Sequence, residues 1–156
     1  MSLMRPALTV ALLVATVAFS QDMQGMNDPL AGTTIEALGS YSPSKAAGQA
    51  LVFLRITMEP GVVIPFHHHP GSVVVVVESG LFGTEFSEGT GTIARFGHEG
   101  SETIEAGSET TLAPGDSLAY EGAVHTMRND GPEPVVLLVS ALLDPEQPGF
   151  IFQGVP

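Results

Sequence analysis

The sequence predicts an all-β domain, a sandwich or barrel built from many short strands. Three observations carry this. Glycine (18) and proline (12) recur along the 156 residues and cut the apolar runs into short pieces. Val52, Leu54, Ile56 and Met58 alternate with Arg55, Thr57 and Glu59, the period of two that marks a half-buried strand. Val73 to Val77 is an unbroken valine run, rich in the β-branched residues that strands favour. Short strands at near-regular spacing, with Gly or Pro between them, read as a sandwich or barrel. The length suffices for one domain with a real core and not for two.

Residues 1 to 20 come first and read as a secretory signal peptide. Arg5 supplies an n-region charge, Pro6 to Phe19 is uncharged and apolar, and Ala18-Phe19-Ser20 has the small-x-small form of a cleavage site. Cleavage after Ser20 makes Gln21 the first mature residue. The apolar stretch is shorter than the roughly 20 residues that span a bilayer. The expected location is secreted or periplasmic, with no membrane association beyond the leader.

Residues 21 to 48 read as an N-terminal arm or linker, because Asn27-Asp28-Pro29, Gly39-Ser40 and Ser42-Pro43-Ser44 are turn or breaker signals. Met23 and Met26 are spaced like a soft-metal pair but read as incidental in such a segment. The barrel is expected over residues 49 to 145. Its first strand starts near residue 50 and stops at Pro60-Gly61. Val62 to His69 is the second, closed by Pro70-Gly71. The valine run follows and ends at Ser79-Gly80; apolar at every position, it suits a strand buried on both faces. Further strands are expected at Leu81 to Phe86, Thr92 to Phe96, Thr103 to Glu105, Ser108 to Leu112, Asp116 to Tyr120, Val124 to Arg128 and Val135 to Leu143. Residues 146 to 156 form a Pro- and Gly-rich tail expected to wrap the surface.

Charge and cysteine count exclude several functions. Five basic residues against 17 acidic ones give a net charge of −12, which repels nucleic acid and anionic membranes. With no cysteine there is no disulfide, no thiolate metal site and no cysteine nucleophile. There is no nucleophile elbow, phosphate loop, zinc-protease helix or dinucleotide fingerprint.

The chemistry lies in the histidines. His67 and His69 stand two apart in an expected strand, so both side chains point to the same face. With a third imidazole from elsewhere, such a pair can make a first-row metal site. His125, in Gly122-Ala-Val-His125-Thr-Met-Arg-Asn129, is the third candidate. Between the first two, His68 is expected to face the other way. His98, in the loop Phe96-Gly97-His98-Glu99-Gly100, reads as a solvated loop histidine.

These two stretches resemble the paired motifs of the cupin superfamily. Gly61, His67, His69 and Gly80 fall on the glycine, the two histidines and the closing glycine of its first motif. Gly122, His125 and Asn129 match the end of its second, where Tyr120 takes the proline position and the spacing from Gly115 is one residue short. The resemblance covers about residues 48 to 143. It implies an antiparallel jelly-roll β-barrel, a metal held by His67, His69 and His125, and a homodimer. One departure bears on function. The motif glutamate, a fourth ligand in many cupins, should fall at residue 73 or 74, and both are valine. Glu78, Glu85 and Glu121 are the carboxylates that could stand in, and none is placed by the pattern. Asn129 reads as a turn or strand-end hydrogen-bonder, and Tyr120 as a buried barrel tyrosine whose hydroxyl could serve as an acid.

A three-histidine site leaves a divalent cation its full charge, and imidazole suits Fe, Mn, Zn, Cu and Ni without choosing among them. The expectation is an exported metal-binding cupin, a dioxygenase-type or Lewis-acid enzyme acting on a small organic substrate. The alternative is a non-catalytic small-ligand-binding cupin module with a degenerate metal site. Replacing His125 discriminates the two.

Overall fold

The structure, a computed structural model, describes residues 28–154. The leader and the Met23/Met26 pair lie outside the described residues. Twelve strands follow one another: β1 (Thr33–Tyr41), β2 (Ala50–Met58), β3 (Val63–His68), β4 (Gly71–Ser79), β5 (Phe82–Glu88), β6 (Thr90–Ala94), β7 (Glu102–Glu105), β8 (Ser108–Leu112), β9 (Ser117–Glu121), β10 (Val124–Arg128), β11 (Val135–Leu143) and β12 (Ile151–Phe152). The all-β expectation holds. Two sheets face each other, one ordered β1-β2-β11-β4-β9-β6-β7 and the other β12-β3-β10-β5-β8, and every pairing is antiparallel. No helix among the described residues is long and apolar enough to cross a membrane.

The core fills the space between the sheets. Ile56, Met58, Val75, Leu118 and Leu137 enter from the larger sheet, and Ile64, Phe82, Phe86, Leu112 and Met127 from the smaller. Each such side chain, withdrawn from water, stabilises the fold by about 1.5–3 kcal/mol. Asn129 ties the ends together. Its Nδ2 donates to the Met58 and Glu133 carbonyls at 3.0 and 2.9 Å, and its Oδ1 accepts from the Gly131 N–H at 3.0 Å. This is the strand-end role expected of it. Gly80, the closing glycine of the first motif, has φ +78°, and a Cβ there would sit 2.6 Å from the Pro134 carbonyl oxygen. Only glycine fits that turn.

Four features depart from the expected pattern. The segment read as an arm carries β1, which extends the larger sheet by pairing with β2. Turn signals flank it, but its residues lie on an edge where few are buried, so periodicity is weak there. The valine run is not buried on both faces. Val73, Val75 and Val77 face the core, while Val74 is 44% and Val76 37% exposed. An antiparallel sheet keeps one face free of its own chain, so the apolar outer face has no local partner. Strand β3 is not a simple alternation either. His67 pairs with His125 and Ile64 with Met127, so three steps along β3 match two along β10. The irregularity falls at Pro65-Phe66, and proline has no N–H to give to the ladder. A bulge of this kind re-aims the side chains beyond it, and here it lets both Ile64 and His67 face inward. Finally, the tail adds a short strand, β12, to the edge of β3, with Ile151 opposite His68 and Phe152 opposite His67.

Candidate metal centre

Three elements bring the histidines together. His67 lies on β3 and His125 on β10, directly opposite in the ladder. His69 lies one residue past the end of β3. One ring nitrogen from each lies within 4.8 Å of the other two. Bonds of about 2.1 Å at tetrahedral angles set nitrogens roughly 3.4 Å apart, within that bound. The ring centroids of His67 stand 4.5 Å from His125 and 5.0 Å from His69. His67 and His125 are fully buried and His69 is partly exposed, so the cluster meets solvent on the His69 side.

Backbone carbonyls orient all three rings. The Nδ1 of His67 is 2.8 Å from the Pro65 oxygen, that of His69 is 2.6 Å from the Gly149 oxygen, and that of His125 is 3.4 Å from the Ala123 oxygen. A carbonyl only accepts, so in the neutral ring each Nδ1 carries the proton and donates it, and each Nε2 presents a lone pair. The bulge therefore does two things at once: it turns His67 inward and supplies the Pro65 carbonyl that fixes its tautomer. Burial holds the rings neutral. It draws the His67 pKa down to about 4, helped by repulsion from His69. It also holds the His125 pKa well below its ordinary value, with His67 and His69 adding to the effect, and lowers His69 as well.

This arrangement fits a metal. The His67 Nε2 is buried with no hydrogen-bond partner among the described residues. An orphaned buried acceptor costs about 1–3 kcal/mol, which a cation would relieve. Neutral imidazoles whose other nitrogen is held by a carbonyl are the ligand form that metals require. The His125 Nε2 faces the hydroxyl of Tyr120 at 3.1 Å.

Aromatic rings enclose the cluster. Phe86 and Tyr120 flank His125 at 5.6 and 4.6 Å between centroids. From the tail, Phe150 lies 5.0 Å from His67 and 4.9 Å from His69, and Phe152 lies 5.6 Å from His67. The sequence reading did not assign Gly149, Phe150 or Phe152 to the site. The aromatic pair Phe150 and Phe152 in an otherwise Pro- and Gly-rich tail was the available signal. The remaining candidates fall elsewhere. His68 is half-buried and outside the cluster, and His98 is exposed in the β6–β7 loop, beside an open groove lined by Arg95, Phe96 and Glu102. Glu78 pairs with Arg55 at 3.4 Å on the outer face of the larger sheet. Glu121 is exposed, and neither it nor Glu85 joins the histidines.

No family model matches the sequence, and no curated protein matches it. Solved structures do. KdgF from Halomonas sp. aligns at 17% identity over 74% of this chain and 83% of that one, with a TM-score of 0.50. A cupin 2 domain-containing protein from Halorhodospira halophila aligns at 15% identity over 78% and 70%, also at 0.50. An oxalate decarboxylase aligns at 18% identity and a TM-score of 0.51 over 80% of this chain, which spans 30% of that longer one. The chain has the cupin fold. Within that fold the missing carboxylate can be located. Val73 is 3% exposed and faces inward opposite Tyr120, whereas Val74 points out to solvent. Of the two valines at the expected glutamate position, Val73 is therefore the inward one, and it brings no carboxylate to the interior.

Proposed function

We propose that His67, His69 and His125 hold one divalent transition-metal ion, drawn from Fe, Mn, Zn, Cu or Ni, and that the protein is an exported enzyme acting on a small organic substrate. The observation that carries this reading is the set of three imidazoles, each with its Nδ1 held by a carbonyl, converging with a buried His67 Nε2 that has no hydrogen-bond partner among the described residues. Once bound, the ion supplies a strong Lewis acid with open coordination positions, suited to dioxygen activation or to polarising a substrate oxygen. The chain supplies the rest. The bulge and the tail carbonyl orient the rings, and Phe86, Phe150 and Phe152 keep the surroundings apolar, which favours a substrate with an apolar part. Likeness to an oxalate decarboxylase carries the fold and not its substrate.

Elemental analysis of the protein from Gln21 onward, made without a histidine tag, tests the reading. About one equivalent of metal, lost in a His67→Ala/His125→Ala double variant, supports it; no metal after reconstitution with each ion refutes it. The aromatic cap of Phe150 and Phe152 favours a second reading, a binding module that uses the same mouth without turnover. His125→Ala separates the two: under the first reading it abolishes metal uptake and turnover, and under the second it weakens folding or ligand affinity only modestly.

Two further parts of the reading rest on other observations. Export rests on the leader, and N-terminal sequencing of extracellular or periplasmic protein should begin at Gln21. Homodimerisation is supported by the outer face of the larger sheet, where Leu51, Phe53, Val74 and Val76 are exposed on strands β2 and β4, which flank β11.

A further inference from the structure

Tyr120 lies on β9, in the sheet opposite the one that carries His67 and His125, and it is not among the three metal ligands. Its phenol crosses the gap between the sheets to stand 3.1 Å from the His125 Nε2. The direction of that bond follows from the ring's other nitrogen. The Ala123 carbonyl takes the Nδ1 proton, so Nε2 is the acceptor and the phenol donates. The Tyr120 ring is walled by Phe86 at 5.7 Å and by His125 at 4.6 Å, and the side chain is almost fully buried. The same lone pair therefore has two claimants: the phenol and any cation held by the three histidines.

We propose that Tyr120 is a specificity-determining residue. It caps His125 in the metal-free protein, and on metal binding it turns its hydroxyl to an anionic oxygen at an open coordination position, so that the site selects a small carboxylate. The inference rests on the metal reading above. Once Nε2 is engaged, a buried O–H is left without its acceptor, and among the described residues the hydroxyl has no other hydrogen-bond partner. A donor stranded in an apolar wall is costly, and a ligand oxygen arriving beside His125 relieves it. Charge points the same way. Three neutral imidazoles leave the ion's double charge uncompensated, and Val73, the inward one of the two valines at the expected glutamate position, brings no carboxylate. The negative charge that many cupins build into the protein would here arrive with the ligand. No covalent step is involved; one hydrogen bond is exchanged for another.

The test uses the full mature chain and its Tyr120→Phe variant, with Co(II) alone as the metal probe and formate as the carboxylate probe. Uptake is followed by Co(II) visible absorption against a competing chelator, and formate affinity by titration of the loaded protein. Removing the cap should tighten Co(II) binding roughly threefold to tenfold, the net worth of one buried hydrogen bond. Removing the donor should weaken formate binding by about tenfold, as expected for a hydrogen bond to a charged acceptor. A residue that only filled space would not move the two affinities in opposite directions. Equal formate affinity in both proteins overturns this inference alone, as does Co(II) binding that weakens in the variant. Failure of both proteins to bind Co(II) overturns the metal reading and this inference with it.

Discussion

The buried histidines make the metal-free protein sensitive to mild acid, and His67 sets the scale. Unfolded, a histidine takes up its proton near pH 6.5; folded, His67 resists until about 4 because burial opposes the charge. Between those values the unfolded chain binds more protons than the folded one, so stability falls as pH falls, and the loss is complete below the folded pKa. The gap of about 2.5 pH units corresponds to roughly 3 kcal/mol, a large part of the 5–15 kcal/mol typical of a domain. Acidification also relieves the self-repulsion of a chain with net charge −12, which acts in the opposite direction. The comparison must therefore be with a His67→Leu variant, which keeps that background and lacks the titrating ring. Urea unfolding of both proteins in EDTA, from about pH 7.5 to pH 4, should show the parent losing about 3 kcal/mol more than the variant. Parallel pH profiles for the two would refute the claim that His67 is held neutral by burial.

Three more outcomes follow from the same geometry. Val73→Glu places a carboxylate at the inward motif position and should tighten metal binding at least tenfold while destabilising the metal-free fold; Val74→Glu, pointing to solvent, should do neither, and chelator competition on the two variants decides. Asp116 is buried and accepts from the Phe96 and Ala113 N–H groups and from Arg95, at 2.9 to 3.0 Å, so Asp116→Ala should cost about 3 kcal/mol in urea unfolding, with little change in metal affinity. If the proposed homodimer forms, the parent should sediment as a dimer and a Phe53→Lys/Val74→Lys double variant as a monomer, because the variant places charges in the exposed apolar face; a monomeric parent removes the dimer reading.

How much of this was legible in the sequence depends on how local each determinant is. The strands were legible wherever burial alternates, as in Val52 to Met58, because period two is a property of the segment itself. His67, His69 and His125 were legible for the same reason, through spacing and motif. The bulge at Pro65-Phe66 was not, since it exists only against the register of β10. Nor could spacing show that His69, just past its strand, is oriented by a carbonyl on the tail. Tyr120 was visible as a tyrosine, but its partner lies on the opposite sheet. Val74 and Val76 misled because apolar character reports what a face prefers and not whether the chain itself covers it. Edge strand β1 was hidden for the converse reason, with little burial to stamp a pattern on it.

The hydrogen bond from His69 to Gly149 joins residues 80 positions apart. Until the strands between them have paired and the tail has laid β12 along β3, nothing holds that imidazole in its working tautomer. Contacts of such long range form late in folding, because the chain must be closed over a long loop before they can be made. A partly folded chain can offer stray histidines to a metal, but not this trio in register. Metal uptake at the three-histidine site would then serve as a proofreading mark, acquired only by molecules whose barrel has closed.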